Sequence, residues 1–235
     1  MQSDLHSSES DILRSFFSNS DSARILICAP SQSGKTFLIA RIIDNEERLF
    51  GSRFDQIFIF NSFEQTVFEK FEADDRFSFE NERSPTEVVE FLSTQPPARR
   101  CFILDDIISH SAKLDPKITQ LWTGASHHLK ISVIATTQFL FGAKHNIRNI
   151  SLQSSVIVLF PSFRDRTSIK VFTRQAFPDA DSNFLASVLE QVNKGTVFKV
   201  PVFVNVSSVY PHERLRVLTG PLTGEELLFW IPKRQ

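Results

Sequence analysis

The sequence predicts an α/β fold: a mostly parallel central sheet with an antiparallel extension near the C-terminus. Three observations carry that reading. From Arg24 onward, short apolar runs alternate with longer amphipathic stretches. Polar residues stand where two of the runs stop, Asp105-Asp106 and Thr136-Thr137-Gln138, and strand ends of this kind are where ligands gather in open α/β sheets. From Gly195 the pattern turns strand-rich, with "GTVFKVPVFVNVSS" and "ERLRVLTG" separated by Pro211, which suits antiparallel pairing.

Taken in order, 1–22 reads as a flexible N-terminal segment, Ser- and acid-rich at first, with "DILRSFF" as a short helix on the domain edge. The ordered domain is assigned to 23–235. "RILIC" (24–28) is a buried strand, and "GKTFLIARIIDNEERLF" (34–50) is one helix with apolar positions three and four apart. "FDQIFIF" (54–60) is a second strand; "TEVVEFLS" (86–93) is a helix that Ser84-Pro85 starts. "RCFILDD" (100–106) is a third strand, "DPKITQLWTGASHH" (115–128) a helix, and "KISVIATTQ" (130–138) a strand. "FLFGAKHNIRNIS" (139–151) reads as a loop and "SSVIVLF" (154–160) as a strand, before helices over 165–176 and 182–193. No internal repeat is visible.

Composition narrows the function. At 41% hydrophobic and 23% charged, the 235 residues can build a substantial core. There are 24 Phe against one Tyr and two Trp, so Phe is expected mainly as core filling, with base stacking by exposed Phe the lesser use. A net charge of −1 supplies no global basic field, so any nucleic-acid contact needs a local basic cluster or charges focused inside an oligomer. Cys28 and Cys101 lie in apolar runs and read as small buried hydrophobes in a reducing compartment. The N-terminus lacks the pattern of a signal peptide, and no run reaches the roughly 20 apolar residues that span a bilayer. A soluble, intracellular protein is the expectation.

The chemistry sits in "CAPSQSGKTFLIA" (28–40). A glycine, four residues and Gly-Lys-Ser/Thr between a strand and a helix form the phosphate-binding loop, or Walker A motif, of P-loop NTPases. Pro30, Ser31, Gln32, Ser33, Gly34, Lys35, Thr36 and Phe37 are the candidate nucleotide-binding residues. Gly34 allows backbone N–H groups close to phosphate oxygens, and the helix N-terminus adds its positive dipole end. Lys35 is placed at the β- and γ-phosphates, and the Thr36 hydroxyl is a Mg²⁺ ligand. Ala29 departs from the motif, standing where its first glycine belongs; its methyl is expected to tune the loop without abolishing it.

Such a loop needs carboxylates on a second strand, the Walker B element. Asp105 is assigned to the Mg²⁺ shell and Asp106 to the general base, although a glutamate, one methylene longer, is commoner there. The strand 130–138 is expected between those two strands, with Gln138 sensing the γ-phosphate or orienting water.

The phosphate loop, "FILDD", "HHLKISVIATTQ" and "IVLFPSFRDRTSIKVFTRQAFP", in this order, resemble the poxvirus-type genome-packaging ATPases of the FtsK/HerA group of P-loop motors. That family occurs in large eukaryotic DNA viruses, virophages and Polinton/Maverick-like transposons. The resemblance covers roughly 22–220, and "LRVLTG" resembles the family's closing strand. Beside Ala29, it departs at Ser162-Phe163, where a shorter link is expected.

The resemblance implies an ATP- and Mg²⁺-dependent translocase that packages double-stranded DNA into a preformed capsid. It also implies a homo-oligomeric ring of five or six subunits, capsid-vertex partners, and a location at the host cell's virion assembly site, in cytoplasm or nucleus, or in the virion itself. Among Arg148, Arg164, Arg166 and Arg174, it favours Arg164 and Arg166 as arginines acting on a neighbour's site. DNA contact falls to Lys113 and Lys117 in one loop and Lys144, His145 and Arg148 in another. Other readings stay open: a helicase or segregation pump, a small-molecule kinase, or a nucleotide-binding subunit with weak catalysis.

Overall fold

The structure, a computed structural model, describes residues 9–17, 22–61, 66–106, 118, 120–125, 128–141, 145–162, 166–207 and 216–233, with the backbone alone at 123, 125 and 145–148. Its strands are β1 (Arg24–Cys28), β2 (Gln56–Asn61), β3 (Phe77–Phe79), β4 (Arg100–Asp105), β5 (Ile131–Thr137), β6 (Val156–Leu159), β7 (Val202–Asn205), β8 (Val217–Thr219) and β9 (Leu228–Phe229). Its α-helices are α1 (Glu9–Phe17), α2 (Lys35–Asp44), α3 (Glu46–Phe50), α4 (Pro85–Leu92), α5 (His145–Gln153), α6 (Arg166–Ala176) and α7 (Phe184–Val192).

All the strands join one sheet in the order β3-β2-β4-β5-β1-β6-β7-β8-β9. From β3 to β6 every pairing is parallel; from β6 to β9 every pairing is antiparallel. β5 lies between β1 and β4, as the sequence predicts, and brings Thr136 opposite Ile27 on one side. The predicted fold class stands.

The central strands are apolar without interruption because both of their faces are covered. Alternate residues go to opposite cores. Leu26, Phe58, Phe60, Phe102 and Leu104 enter one, which α4, α6 and α7 cover with Val88, Leu92, Phe172, Leu185 and Val188. Ile25, Ile27, Ile57, Ile59 and Ile103 enter the other, under Leu38, Ile39, Ile42 and Ile43 of α2. Cys28 and Cys101 are both buried, and burial pushes the Cys101 thiol far up.

The structure refines one expectation and corrects two. The short helix read in "DILRSFF" is present as α1, and although 1–22 is predicted to be flexible, its Leu13, Phe16 and Phe17 pack at helical spacing into the second core. Asn205 Nδ2 also donates to Phe16 O at 2.7 Å. The helix predicted over 34–50 breaks at Asn45. Its side chain donates to Arg41 O at 2.8 Å and accepts from Thr223 N at 2.8 Å and Thr223 Oγ1 at 2.6 Å, ending α2 and opening α3. Finally, much of the loop predicted over 139–151 is α5. Few apolar residues mark its periodicity, but Ile150 is buried and Ser154 Oγ donates back to Ile150 O at 2.8 Å.

Two small strands, β3 and β9, and a 3-10 turn (Thr66–Phe71) had no sequence signal. The helix over 86–93 appears as α4, with Ser84 and Glu87 forming a reciprocal capping box. Of the helix predicted over 115–128, the described residues include a π-helical turn, Leu121–Ala125. Among the described residues no helix is long and apolar enough to cross a membrane.

Phe102 is fully buried, with its ring centroid 5.2 Å from that of Phe58 and 5.3 Å from that of Phe60. Phe102→Ala is expected to cost about 3–5 kcal/mol of stability. Urea denaturation would measure it; a loss below about 1 kcal/mol would mean that the core collapses around the deletion.

Candidate functional site

β1 stops at Cys28 and α2 starts at Lys35, so 29–34 make the turn between them. Gly34, at the helix start, has φ 91° and ψ 22°, a left-handed conformation in which a side chain is strained. Gln32 shares that region at φ 59°. Ala29 does not, being absent from the positive-φ residues. Its methyl is buried in the second core, and its N–H donates to Thr137 O at 3.0 Å. Alanine therefore meets no backbone penalty where the motif has glycine.

Lys35 is only 6% exposed. Its Nζ donates to Ala29 O at 3.3 Å and Pro30 O at 3.2 Å, and lies 3.9 Å from Asp106 Oδ1. Ser33 Oγ also donates to Pro30 O, closing the turn on itself. The loop's lysine and the second carboxylate of β4 thus stand together.

Asp105 is the most constrained group. At 1% exposed, it accepts from Thr36 Oγ1 at 2.7 Å through Oδ2 and from Thr136 Oγ1 at 2.9 Å through Oδ1. Thr136 Oγ1 in turn accepts from Asp106 N at 2.8 Å. That last bond helps hold Asp106 at φ 57°, an unusual conformation that Asp and Asn tolerate better than most residues. Burial pushes the Asp105 pKa upward, while the Thr36 and Thr136 hydroxyls and the Lys35 charge pull it back.

One hydroxyl and one carboxylate at a phosphate loop are hard oxygen donors and fit Mg²⁺, which takes its remaining ligands from phosphates and water. Thr36 and Asp105, the two predicted metal residues, are brought into direct contact. Gln138 follows the last residue of β5, between the strands that carry Asp105 and the phosphate loop. Thr136 is the member whose role sequence reasoning missed: its hydroxyl is placed by the β1–β5 register, a long-range pairing.

Other predicted residues stand elsewhere. Arg166 opens α6, exposed, and lines a separate cavity of about 610 Å³ with Pro161, Ser162 and Glu190. Arg174 is exposed in the last turn of that helix. Lys113, Lys117, Lys144 and Arg164 lie outside the described residues, and His145 and Arg148 belong to α5 without a described side chain.

Solved structures share this arrangement of elements. The genome-packaging NTPase B204 of Sulfolobus turreted icosahedral virus 2, in complex with AMP, matches with a TM-score of 0.51 at 12% identity, over 91% of this chain and 99% of its own. The DNA-packaging ATPase B204 of Sulfolobus turreted icosahedral virus matches with a TM-score of 0.50 at 14% identity, over 92% and 99%. The fold is that of the P-loop NTPases. The flagellar accessory protein FlaH of Methanocaldococcus jannaschii is as similar, with a TM-score of 0.51 at 10% identity over 97% and 98%. No protein-family model and no curated protein sequence matches the chain. At such identities the likeness is one of fold, and this P-loop NTPase fold serves more than one task.

The raised Asp105 pKa has a sign. Its contribution to stability is full below the ordinary carboxylate range and is lost as pH rises through the raised value. Asp105→Asn removes the buried charge and leaves an amide beside both hydroxyls. Thermal melting at neutral pH without metal is expected at or above the wild-type temperature, while Mg²⁺ no longer strengthens nucleotide binding. A markedly lower melting temperature would show that the charge itself holds the three elements together.

Proposed function

We propose that this chain is a Mg²⁺-dependent ATPase that drives double-stranded DNA into a preformed viral capsid. The observation that carries the chemistry is the Lys35–Asp106 and Thr36–Asp105–Thr136 constellation, which joins the phosphate loop to the ends of β4 and β5. Its cargo is inferred from the poxvirus-type motif series in the sequence and from the fold shared with B204, described as a genome-packaging NTPase.

In this reading the loop N–H groups and Lys35 hold the β- and γ-phosphates, Lys35 exchanging its contacts to Ala29 O and Pro30 O for phosphate oxygens. Thr36 and Asp105 hold Mg²⁺, which supplies charge neutralisation when bound. Asp106 accepts the proton of a water that attacks the γ-phosphorus as the bond to the β-phosphate oxygen breaks, releasing ADP and phosphate. Gln138 orients that water. An arginine of a neighbouring subunit, Arg166 or Arg164, offsets charge in the transition state, which requires the pentameric or hexameric ring. The ring focuses copies of Lys113, Lys117, Lys144, His145 and Arg148 onto one DNA channel, so a near-neutral subunit can grip phosphates. Capsid-vertex proteins are the remaining partners, and the virion assembly site is the location. The extent of the functional domain is taken as 23–235 together with the packed α1.

The FlaH likeness favours a second reading in the same terms, ATP hydrolysis coupled to a cargo other than DNA. One assay separates the two: Mg²⁺-dependent ATP hydrolysis with and without long double-stranded DNA, over a series of protein concentrations. Stimulation by DNA that rises cooperatively with concentration is expected. Turnover indifferent to DNA would remove the DNA motor. Lys35→Ala is expected to abolish nucleotide binding or turnover. Asp106→Asn, which keeps a residue tolerant of φ 57°, is expected to bind nucleotide and stop turnover; unchanged turnover would strike Asp106 from the mechanism.

A further inference from the structure

Beside the N-terminus of α2 lies a cavity of about 300 Å³, at the small end of the range for ligand pockets. Ser33 and Gly34 of the phosphate loop line it, so it is continuous with the place where phosphates would sit. Its opposite wall comes from the antiparallel extension: Phe198 and Pro201 before β7, Gly220 after β8, and Glu225. Phe37, Leu38 and Phe160 make much of the remainder apolar.

Two features of that lining are unexplained by packing. Phe37 is 60% exposed and Phe198 84% exposed, in a protein that buries most of its described phenylalanines. Both side chains line one cavity, together with Ser33 and Gly34 of the phosphate loop. The rim also holds Arg41, which is paired with Glu225 and donates to Thr223 O at 3.1 Å, so that side of the cavity is braced.

We propose that this cavity is the nucleobase site, in which a purine stacks on Phe37 and Phe198. The proposal rests on the nucleotide reading above and gives the antiparallel extension a recognition task. A nucleotide whose phosphates lie on the loop extends its base away from the γ-phosphate, and Ser33 and Gly34 connect the two places. Stacking on an aromatic side chain needs no base-specific hydrogen bond, and a purine offers the larger face.

The test is calorimetric titration of the full chain in Mg²⁺ with ATP and, separately, with inorganic tripolyphosphate, for the wild type and Phe198→Ala. Phe198 is mostly exposed, so its truncation leaves the core untouched. Expected is ATP binding at least about tenfold tighter than tripolyphosphate, and a loss of about tenfold for ATP alone in Phe198→Ala. Equal wild-type affinity for the two ligands overturns the base site while leaving the phosphate loop standing. So does an unchanged ATP affinity in the variant, or an equal loss for both ligands. Binding of neither ligand by the wild type overturns the nucleotide reading together with the base site.

Discussion

Hydrogen bonds that converge on one buried side chain join three elements at the phosphate-loop end of this molecule. Asp105 accepts one hydroxyl hydrogen bond from Thr36 of α2 and one from Thr136 of β5, while sitting itself on β4. An ionised carboxylate at this depth is costly unless its oxygens are satisfied, and here each oxygen has a hydroxyl donor. The arrangement is unforgiving because it needs α2, β4 and β5 in one register. Thr136 adds a further demand, since the same hydroxyl accepts from the Asp106 backbone and so helps fix where the second carboxylate begins.

The sheet order follows from that requirement. β5 must separate β1 from β4 for Thr136 to stand between the loop and the carboxylates, and the parallel pairing places all three strand ends on one edge. Beyond β6 the chain reverses direction. Those later strands bring no part of the carboxylate cluster; they build a wall on the other side of the phosphate loop, where Phe198 and Gly220 line one cavity with Phe37. The loop is therefore flanked by two unlike environments, one charged and hydrogen-bonded, the other apolar.

Much of this was legible because the relevant signals are local. "RILIC", "RCFILD" and "ISVIATT" are continuous apolar runs because both faces of their strands are buried, and Gly34-Lys35-Thr36 and Asp105-Asp106 announce themselves at the ends. What escaped depends on partners far along the chain. The break between α2 and α3 is made by Asn45 reaching Thr223, so periodicity over 34–50 could not show it. The role of Thr136 depends on strand pairing, and Phe198 shares a cavity with Phe37 although the two are far apart in the chain. α5 was hidden for another reason: "HNIRNISLQ" has too few apolar positions to mark a helical face. Whether Ala29 carries a backbone cost was not legible, because the motif alone does not say which of its glycines has a left-handed backbone; here Gly34 does and Ala29 does not.

The clamp at Asn45 has a mechanical meaning. α2 spans Lys35 to Asp44, roughly 15 Å of helix at the usual rise per residue. One end begins in the phosphate loop; the other is fastened through Asn45 to Thr223, with Arg41 holding Glu225 along the way. A packed helix of this length transmits displacement along its axis more readily than it bends. It ties the phosphate loop to residues 223–225, and because Glu225 also lines the cavity that Ser33 and Gly34 line, loop, helix and C-terminal extension are braced as one unit.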